Sequence, residues 1–181
     1  ARKLILIATA ARAQPWTIAA DEAQRMALEA DTTFGTDSPD AGRRGMEAAR
    51  AIGLLTYRGS SAYNATQQEH DDPDKTRGFR ACSYQRHQGE KLSRRFDAYS
   101  YRRITEAFDS HNVGRGRGGV ERALGTIGAD TLVVGITSDI ILPVGEQLAL
   151  WRHIPHCRME LIVSDFGHDG FLVEHAKLDA I

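Results

Sequence analysis

Ala129-Asp-Thr-Leu-Val-Val-Gly-Ile-Thr-Ser-Asp139 is the stretch that decides the fold. Leu132, Val133, Val134 and Ile136 form a short apolar run rich in β-branched side chains, which favours a strand over a helix of this length. Apolar residues at successive positions suit a parallel strand covered on both faces. The run ends on a carboxylate, Asp139, followed by Ile140-Ile-Leu-Pro143. A second run of the same kind holds Met159, Leu161, Ile162 and Val163, and leads into Ser164-Asp-Phe-Gly-His-Asp-Gly-Phe-Leu172. Each strand is thus followed by a loop bearing a titratable group, Asp139 after the first and His168 after the second. Open α/β sheets carry their reactive groups on loops beyond the carboxyl ends of the strands.

The remainder of the chain is compatible with one soluble α/β domain. Its 181 residues are enough to bury a core. Lys plus Arg total 23 and Asp plus Glu 24, a net charge of −1 that gives no reason to expect nucleic acid or an anionic membrane surface. The two cysteines, Cys82 and Cys157, have no metal-type spacing and no disulfide framework. No apolar stretch approaches the roughly 20 residues of a membrane helix, and a cytoplasmic protein is expected. Leu4-Ile-Leu-Ile-Ala8 reads as a further buried parallel strand. A central strand at the extreme start, with nothing ahead of it to pair with, leads us to expect a longer protein whose front half precedes Ala1.

Between this first strand and the strand at 130–136 the pattern is helical. Residues 16–30, 43–56, 83–95 and 99–109 carry apolar positions at helical spacing. Residues 31–42 and the charged stretch 67–78 read as exposed loops. A crossover between parallel strands needs only about a dozen residues, so 15–111 is expected to be an inserted helical lid on a core made of 1–14 and 112–181. Asn112-Val-Gly-Arg-Gly-Arg-Gly-Gly119 is basic and glycine-rich but lacks the Lys-Ser/Thr ending of a phosphate loop; a hinge back to the core is the preferred reading over an anion site. Helices are expected at 145–153 and, at the C-terminus, over 170–179.

Asp139 and His168 lie 29 residues apart, with room for one helix and one strand between them. An Asp then a His after successive strands is the later part of the Ser, Asp, His order of α/β-hydrolase enzymes, in which the histidine takes the nucleophile's proton and the carboxylate orients it. Gly167 and Gly170 would let the loop carry the imidazole over the strand ends. The plain alternative makes Asp139 a turn residue and His168 a surface histidine. His70, His87, His111, His153, His156 and His175 lie in polar or loop contexts without metal-ligand spacing. No Gly-x-Ser-x-Gly occurs; Gly59-Ser-Ser61 lacks both the second glycine and a preceding strand.

Several motifs in one order then match a family. Leu4-Ile-Leu-Ile-Ala-Thr-Ala-Ala-Arg12, Ala20-Asp-Glu-Ala-Gln-Arg25, Ala48-Ala-Arg-Ala-Ile-Gly-Leu-Leu-Thr-Tyr-Arg58, Ser83-Tyr-Gln-Arg-His-Gln-Gly-Glu-Lys-Leu92, Arg95-Phe-Asp-Ala-Tyr-Ser-Tyr101, Val134-Gly-Ile-Thr-Ser-Asp139 and Gly167-His-Asp-Gly-Phe-Leu172 resemble the homoserine O-acetyltransferases, over the back half of that family's length. The resemblance implies an α/β-hydrolase fold with a helical lid. It also implies acyl transfer from acetyl-CoA to the hydroxyl of L-homoserine in methionine biosynthesis, with no cofactor or metal. Asp139 then corresponds to the triad acid, His168 to the base, Asp169 to the ligand of the substrate amine and Arg58 to the arginine that meets the substrate carboxylate. The planar guanidinium suits a carboxylate because it can donate two parallel hydrogen bonds. The family's serine and oxyanion-hole donors have no counterpart in these residues, so the chain alone is expected to be inactive. The resemblance further implies a homodimer joined through the lid, where Tyr84, Tyr99, Tyr101 and Phe108 either offer aromatic surface or pack inside the lid itself. Transfer from succinyl-CoA, transfer to serine, plain ester hydrolysis and a non-catalytic remnant stay open as alternatives.

Overall fold

The computed structural model describes residues 1–70 and 72–181; Asp71, within the charged 67–78 stretch, lies outside the described residues. Three strands, β1 (Lys3–Ile7), β2 (Asp130–Ile136) and β3 (Cys157–Ile162), form a parallel sheet in the order β1-β2-β3. Lys3 to Ile7 pair with Asp130 to Val134, and Thr131 to Ile136 pair with Cys157 to Ile162. The helices are α1 (Pro15–Glu29), α2 (Arg43–Tyr57), α3 (Ser60–Gln67), α4 (Arg80–Ser93), α5 (Ala98–Asp109), α6 (Val120–Gly125), α7 (Val144–His153), α8 (Gly170–Val173) and α9 (His175–Asp179). A 3-10 turn at Gly167–Asp169 precedes α8. None of the described helices is long and apolar enough to cross a membrane.

The central strand is buried on both faces, as its apolar run requires. Val133, Val134 and Ile136 are at most 1% exposed. On one face Val133 packs with Leu124 of α6 and with Leu150 and Ile154 at α7. On the other, Val134, Ile136 and Ile162 meet Phe171, Leu178 and Ile181. The flanking strands depart from expectation. Ile5 of β1 is 61% exposed and Leu161 of β3 48%. Among the described residues each outer strand has a neighbour on one side only, and the short helices α8 and α9 do not extend across the whole face.

All four expected helices between β1 and β2 are present, and two more appear. The sequence Ser60-Ser-Ala-Tyr-Asn-Ala-Thr-Gln67 forms α3 without burying a single residue, so it carries no apolar stripe to betray it. The six residues of α6 are equally short of a period. The C-terminal segment is not the one continuous helix expected over 170–179. It breaks at Glu174, whose backbone (φ −86°, ψ 49°) is not helical. The break lets Phe171 before it and Leu178 after it both reach the sheet.

The chain leaves the sheet at residues 11–13 and returns at 111–113, and these two passes run side by side. Arg12 and Asn112 form an antiparallel bridge, Ala13 N donates to His111 O (3.0 Å) and Val113 N donates to Ala11 O (2.9 Å). Just beyond, the arginines of the glycine-rich loop turn back on their own backbone. Arg117 donates to Val113 O at 2.8 Å, and Arg115 donates to Ser110 O. Their N–H groups close the loop rather than face an open cradle, which fits the hinge reading. Within the helical insertion, Tyr99 stacks on Phe34 (5.1 Å), Tyr84 meets Tyr63 edge-on (5.8 Å) and Tyr101 meets Phe96 (6.4 Å). Phe108 and Ile104 on α5 remain 40% and 58% exposed.

Candidate active site

The loops after β2 and β3 meet at the carboxyl end of the sheet. Residue 137 continues the ladder, its N–H donating to Ile162 O (3.0 Å), and the chain then turns so that Asp139 points back into the protein with its side chain fully buried. Its Oδ1 accepts the N–H groups of Ile141 and Leu142, each at 2.9 Å. Its Oδ2 lies 2.7 Å from His168 Nδ1. Both sequence readings of Asp139 are therefore realised at once, one oxygen holding the turn and the other the imidazole. A carboxylate buried this deeply needs such partners, because an unpaired charge there would be strongly disfavoured.

His168 sits in the 3-10 turn with its side chain 22% exposed. Phe171 packs edge-on against the ring at 5.3 Å and Tyr57 lies at 6.3 Å. With its proton on Nδ1 facing the carboxylate, the ring presents the lone pair of Nε2 outward. Nε2 makes no hydrogen bond among the described residues. The two flanking glycines serve different ends. Gly167 has φ +67°, a left-handed backbone that favours glycine. Gly170 is helical (φ −52°) and is needed for space instead, since a Cβ there would lie 2.9 Å from Ile136 Cγ2.

Arg58 reaches this turn from the helical insertion. It ends α2 in an extended conformation, and the backbone there crosses the His168 turn at close range. A Cβ on Gly59 would lie 2.0 Å from Asp165 O, and one on Gly167 would lie 2.4 Å from Gly59 N. Two glycines at one crossing let the insertion and the loop after β3 touch backbone to backbone. The Arg58 guanidinium then meets Asp169, Nε to Oδ2 at 2.7 Å, as an ion pair off the line of a directed hydrogen bond. The guanidinium also lies 5.9 Å from the centre of the Tyr84 ring. The structure thus brings all four sequence-predicted residues, Asp139, His168, Arg58 and Asp169, to one place. The family resemblance assigns Arg58 and Asp169 separately, to opposite ends of a substrate, whereas in the structure they pair with each other.

Beside Arg58 opens a cavity of about 510 Å³, lined by Leu55, Ser60, Tyr63, Asn64, Ser138 and Ile140 among others. Its wall mixes apolar surface with hydroxyl and amide groups, as small-molecule sites do. Tyr57, one residue before Arg58, stays a neutral phenol: burial, and then the carboxylate of Asp21, push its pKa up. Thr17 ties the insertion to the Asp139 loop, its hydroxyl donating to Ile141 O at 3.0 Å. Sequence reasoning passed over Thr17, Tyr57 and Ser138. The one available signal was the run of hydroxyls, Thr137-Ser138, directly before the predicted acid.

A homoserine O-acetyltransferase of Cyclobacterium marinum is 42% identical over 177 residues, which cover 98% of this chain and 50% of that protein. The crystal structure of homoserine O-acetyltransferase from Staphylococcus aureus superposes with a TM-score of 0.74 at 29% identity, covering 96% of this chain and 47% of the other. The crystal structure of esterase E22 superposes with a TM-score of 0.86 at 18% identity, covering 99% and 53%, and bears on the fold alone. No family model matches the chain. The sheet and its loops are thus part of an α/β-hydrolase fold with a helical insertion, and the chain spans about half the length of the relatives it matches.

Proposed function

We propose that this chain is the acid-and-base half of a homoserine O-acetyltransferase, and that the nucleophilic serine and the oxyanion-hole donors belong to polypeptide ahead of Ala1. The observation that carries this reading is that one short turn, His168-Asp169, pairs with buried Asp139 through its histidine and with Arg58 through its aspartate. The first pair suits activation of a hydroxyl; the second suits an amino acid. Sequence identity with homoserine O-acetyltransferases along nearly the whole chain supports the same conclusion.

The chemistry follows a ping-pong course. Nε2 of His168 removes the serine proton as the serine attacks the thioester of acetyl-CoA, and Asp139 steadies the imidazolium that forms. His168 returns the proton to the departing CoA thiolate. L-Homoserine then enters. Its carboxylate is held by the Arg58 fork and its ammonium by Asp169, which separates the ion pair between them and replaces one internal charge contact with two to the substrate. His168 takes the proton of the homoserine hydroxyl as that oxygen attacks the acyl-enzyme, and returns it to the serine oxygen as the ester bond to the enzyme breaks and O-acetylhomoserine leaves. No metal or cofactor enters; acetyl-CoA is a co-substrate. The helical insertion serves as the lid, the enzyme acts in the cytoplasm in methionine biosynthesis, and two copies associate through their lids.

Incubating the full-length enzyme with acetyl-CoA, with and without homoserine, tests the reading. Thiol release is expected to be faster with homoserine present and to yield O-acetylhomoserine. Equal rates in both tubes would make the protein an esterase-like hydrolase. An amino-acid clamp argues against that outcome, because water as acceptor needs none.

A further inference from the structure

Three consecutive side chains after β2 each hold one point of the loop after β3. Thr137 Oγ1 accepts the N–H of Ser164 (3.2 Å), Ser138 Oγ accepts the N–H of Gly167 (2.9 Å), and Asp139 Oδ2 faces His168 Nδ1 (2.7 Å). The middle contact is the critical one. Gly167 is buried, its backbone is left-handed, and a Cβ there would lie within 2.9 Å of Tyr57 O, the Arg58 carbonyl carbon and Gly59 N. The turn has little room beside the insertion. The Ser138 hydroxyl accepts the Gly167 N–H, and a buried N–H without an acceptor is strongly disfavoured. The base is the next residue along, and Asp139 is the next residue after Ser138. One hydrogen bond therefore fixes the separation of two backbones whose next side chains must meet at 2.7 Å.

We infer that Ser138 is a positioning residue for the base: by accepting the Gly167 N–H it seats the turn so that His168 Nδ1 meets Asp139 Oδ2. The inference rests on the functional reading for its significance, but its structural content is testable without measuring activity. Thr137 is exposed and grips the start of the loop, four residues before His168; it sets the loop's origin rather than the height of the turn.

The experiment is hydrogen exchange by NMR on the full-length enzyme with isotope-labelled histidine and glycine, reading the His168 Nδ1 proton and the Gly167 amide. Ser138→Ala removes the acceptor, Ser138→Val removes it with a branched replacement, and Ser138→Thr keeps a hydroxyl on nearly the shape of valine. Both protons are expected to exchange about tenfold faster in the Ala and Val variants, roughly the effect of one lost hydrogen bond, and to stay within about twofold of the native rate in the Thr variant. A general loosening of the fold would move Thr and Val together, so matching rates in those two variants overturn the inference. Native exchange in Ser138→Val overturns it too, even if Ser138→Ala proves too unstable to study. Neither result touches the acyltransferase reading, which stands or falls on thiol release by the full-length enzyme.

Discussion

Asp139 divides its carboxylate oxygens between a turn and an imidazole, and that division sets what its replacement should do. Asn at 139 keeps an oxygen for the N–H groups of Ile141 and Leu142, so the fold is expected to survive. It also turns an amide N–H toward His168, which selects the wrong ring tautomer. By analogy with serine proteases, Asp139→Asn in the full-length enzyme is expected to lower kcat by about 10⁴, measured by thiol release; near-normal turnover would refute the role. Arg58 carries a different expectation. Acetyl-CoA presents no amino-acid head group, so Arg58→Ala is expected to slow transfer to homoserine by roughly 10- to 150-fold, the effect of one lost charge-assisted pair. Arg58→Lys should recover little, because an ammonium cannot make the two-pronged contact. Chain order offers the Asp139–His168 pair as a candidate beside the plainer reading of a turn residue and a surface histidine, and the family motifs favour the pair. Chain order offers no such signal for Arg58: a cation at the end of a helix reads as ordinary capping, and only the family motif around it pointed to a substrate.

At the scale of elements, α1 and α5 are joined by a buried charged cluster that the helical periodicity did not reveal. Arg25 Nη2 lies 2.6 Å from Asp109 Oδ2, while Arg25 Nη1 and Asp109 Oδ1 are buried without a hydrogen-bond partner. Asp21 lies alongside, accepting from Gln24 Nε2 at 3.0 Å. Burial first, and then the charge of Asp109, push the Asp21 carboxyl up to about 7, against the pull of Arg25; Tyr57 and Tyr101 face it from α2 and α5, with Arg50 beside both rings. A protonated Asp21 can donate to the free oxygen of Asp109. The sign follows from linkage. Between the unfolded value near 4 and about 7 the folded state holds the extra proton, so stability falls as pH rises through that window. Asp21→Asn keeps the donor without the charge. It is expected to flatten the decline and raise Tm at pH 8 by about 5 °C, on the order of 2 kcal/mol for a domain of this size. A native-like pH dependence in the variant would contradict the assignment. The strands and the long helices were readable because burial imposes a period on them. The helix α3 escaped notice because it buries nothing, and the break at Glu174 did so because no Gly or Pro marks it.

For the whole molecule, the open surfaces are as informative as the closed ones. Among the described residues β1 has no partner on its outer edge, and Ile5 stands exposed on one face of the sheet. An unpaired apolar edge invites a further strand, in keeping with a chain that spans half of its relatives. The exposed Ile104 and Phe108, one turn apart on α5, offer the insertion a surface for a second copy. Sedimentation velocity of the full-length enzyme at micromolar concentration is expected to give a dimer that Ile104→Asp with Phe108→Asp dissociates. A native protein that sediments only as monomer would remove the lid interface from the account. The dimer was expected from family resemblance; nothing in composition or charge points to it, because scattered exposed apolar residues are ordinary.

On the proposed mechanism His168 serves acyl transfer to the enzyme as well as from it, while Arg58 serves only the acceptor. Stopped-flow measurement of thiol release from acetyl-CoA, without homoserine, separates the two roles. The native full-length enzyme and Arg58→Ala are each expected to give a burst of about one thiol per active site, and His168→Ala to give none, since a serine hydroxyl is a poor nucleophile without its base. A full burst from His168→Ala, or its loss in Arg58→Ala, would contradict the account.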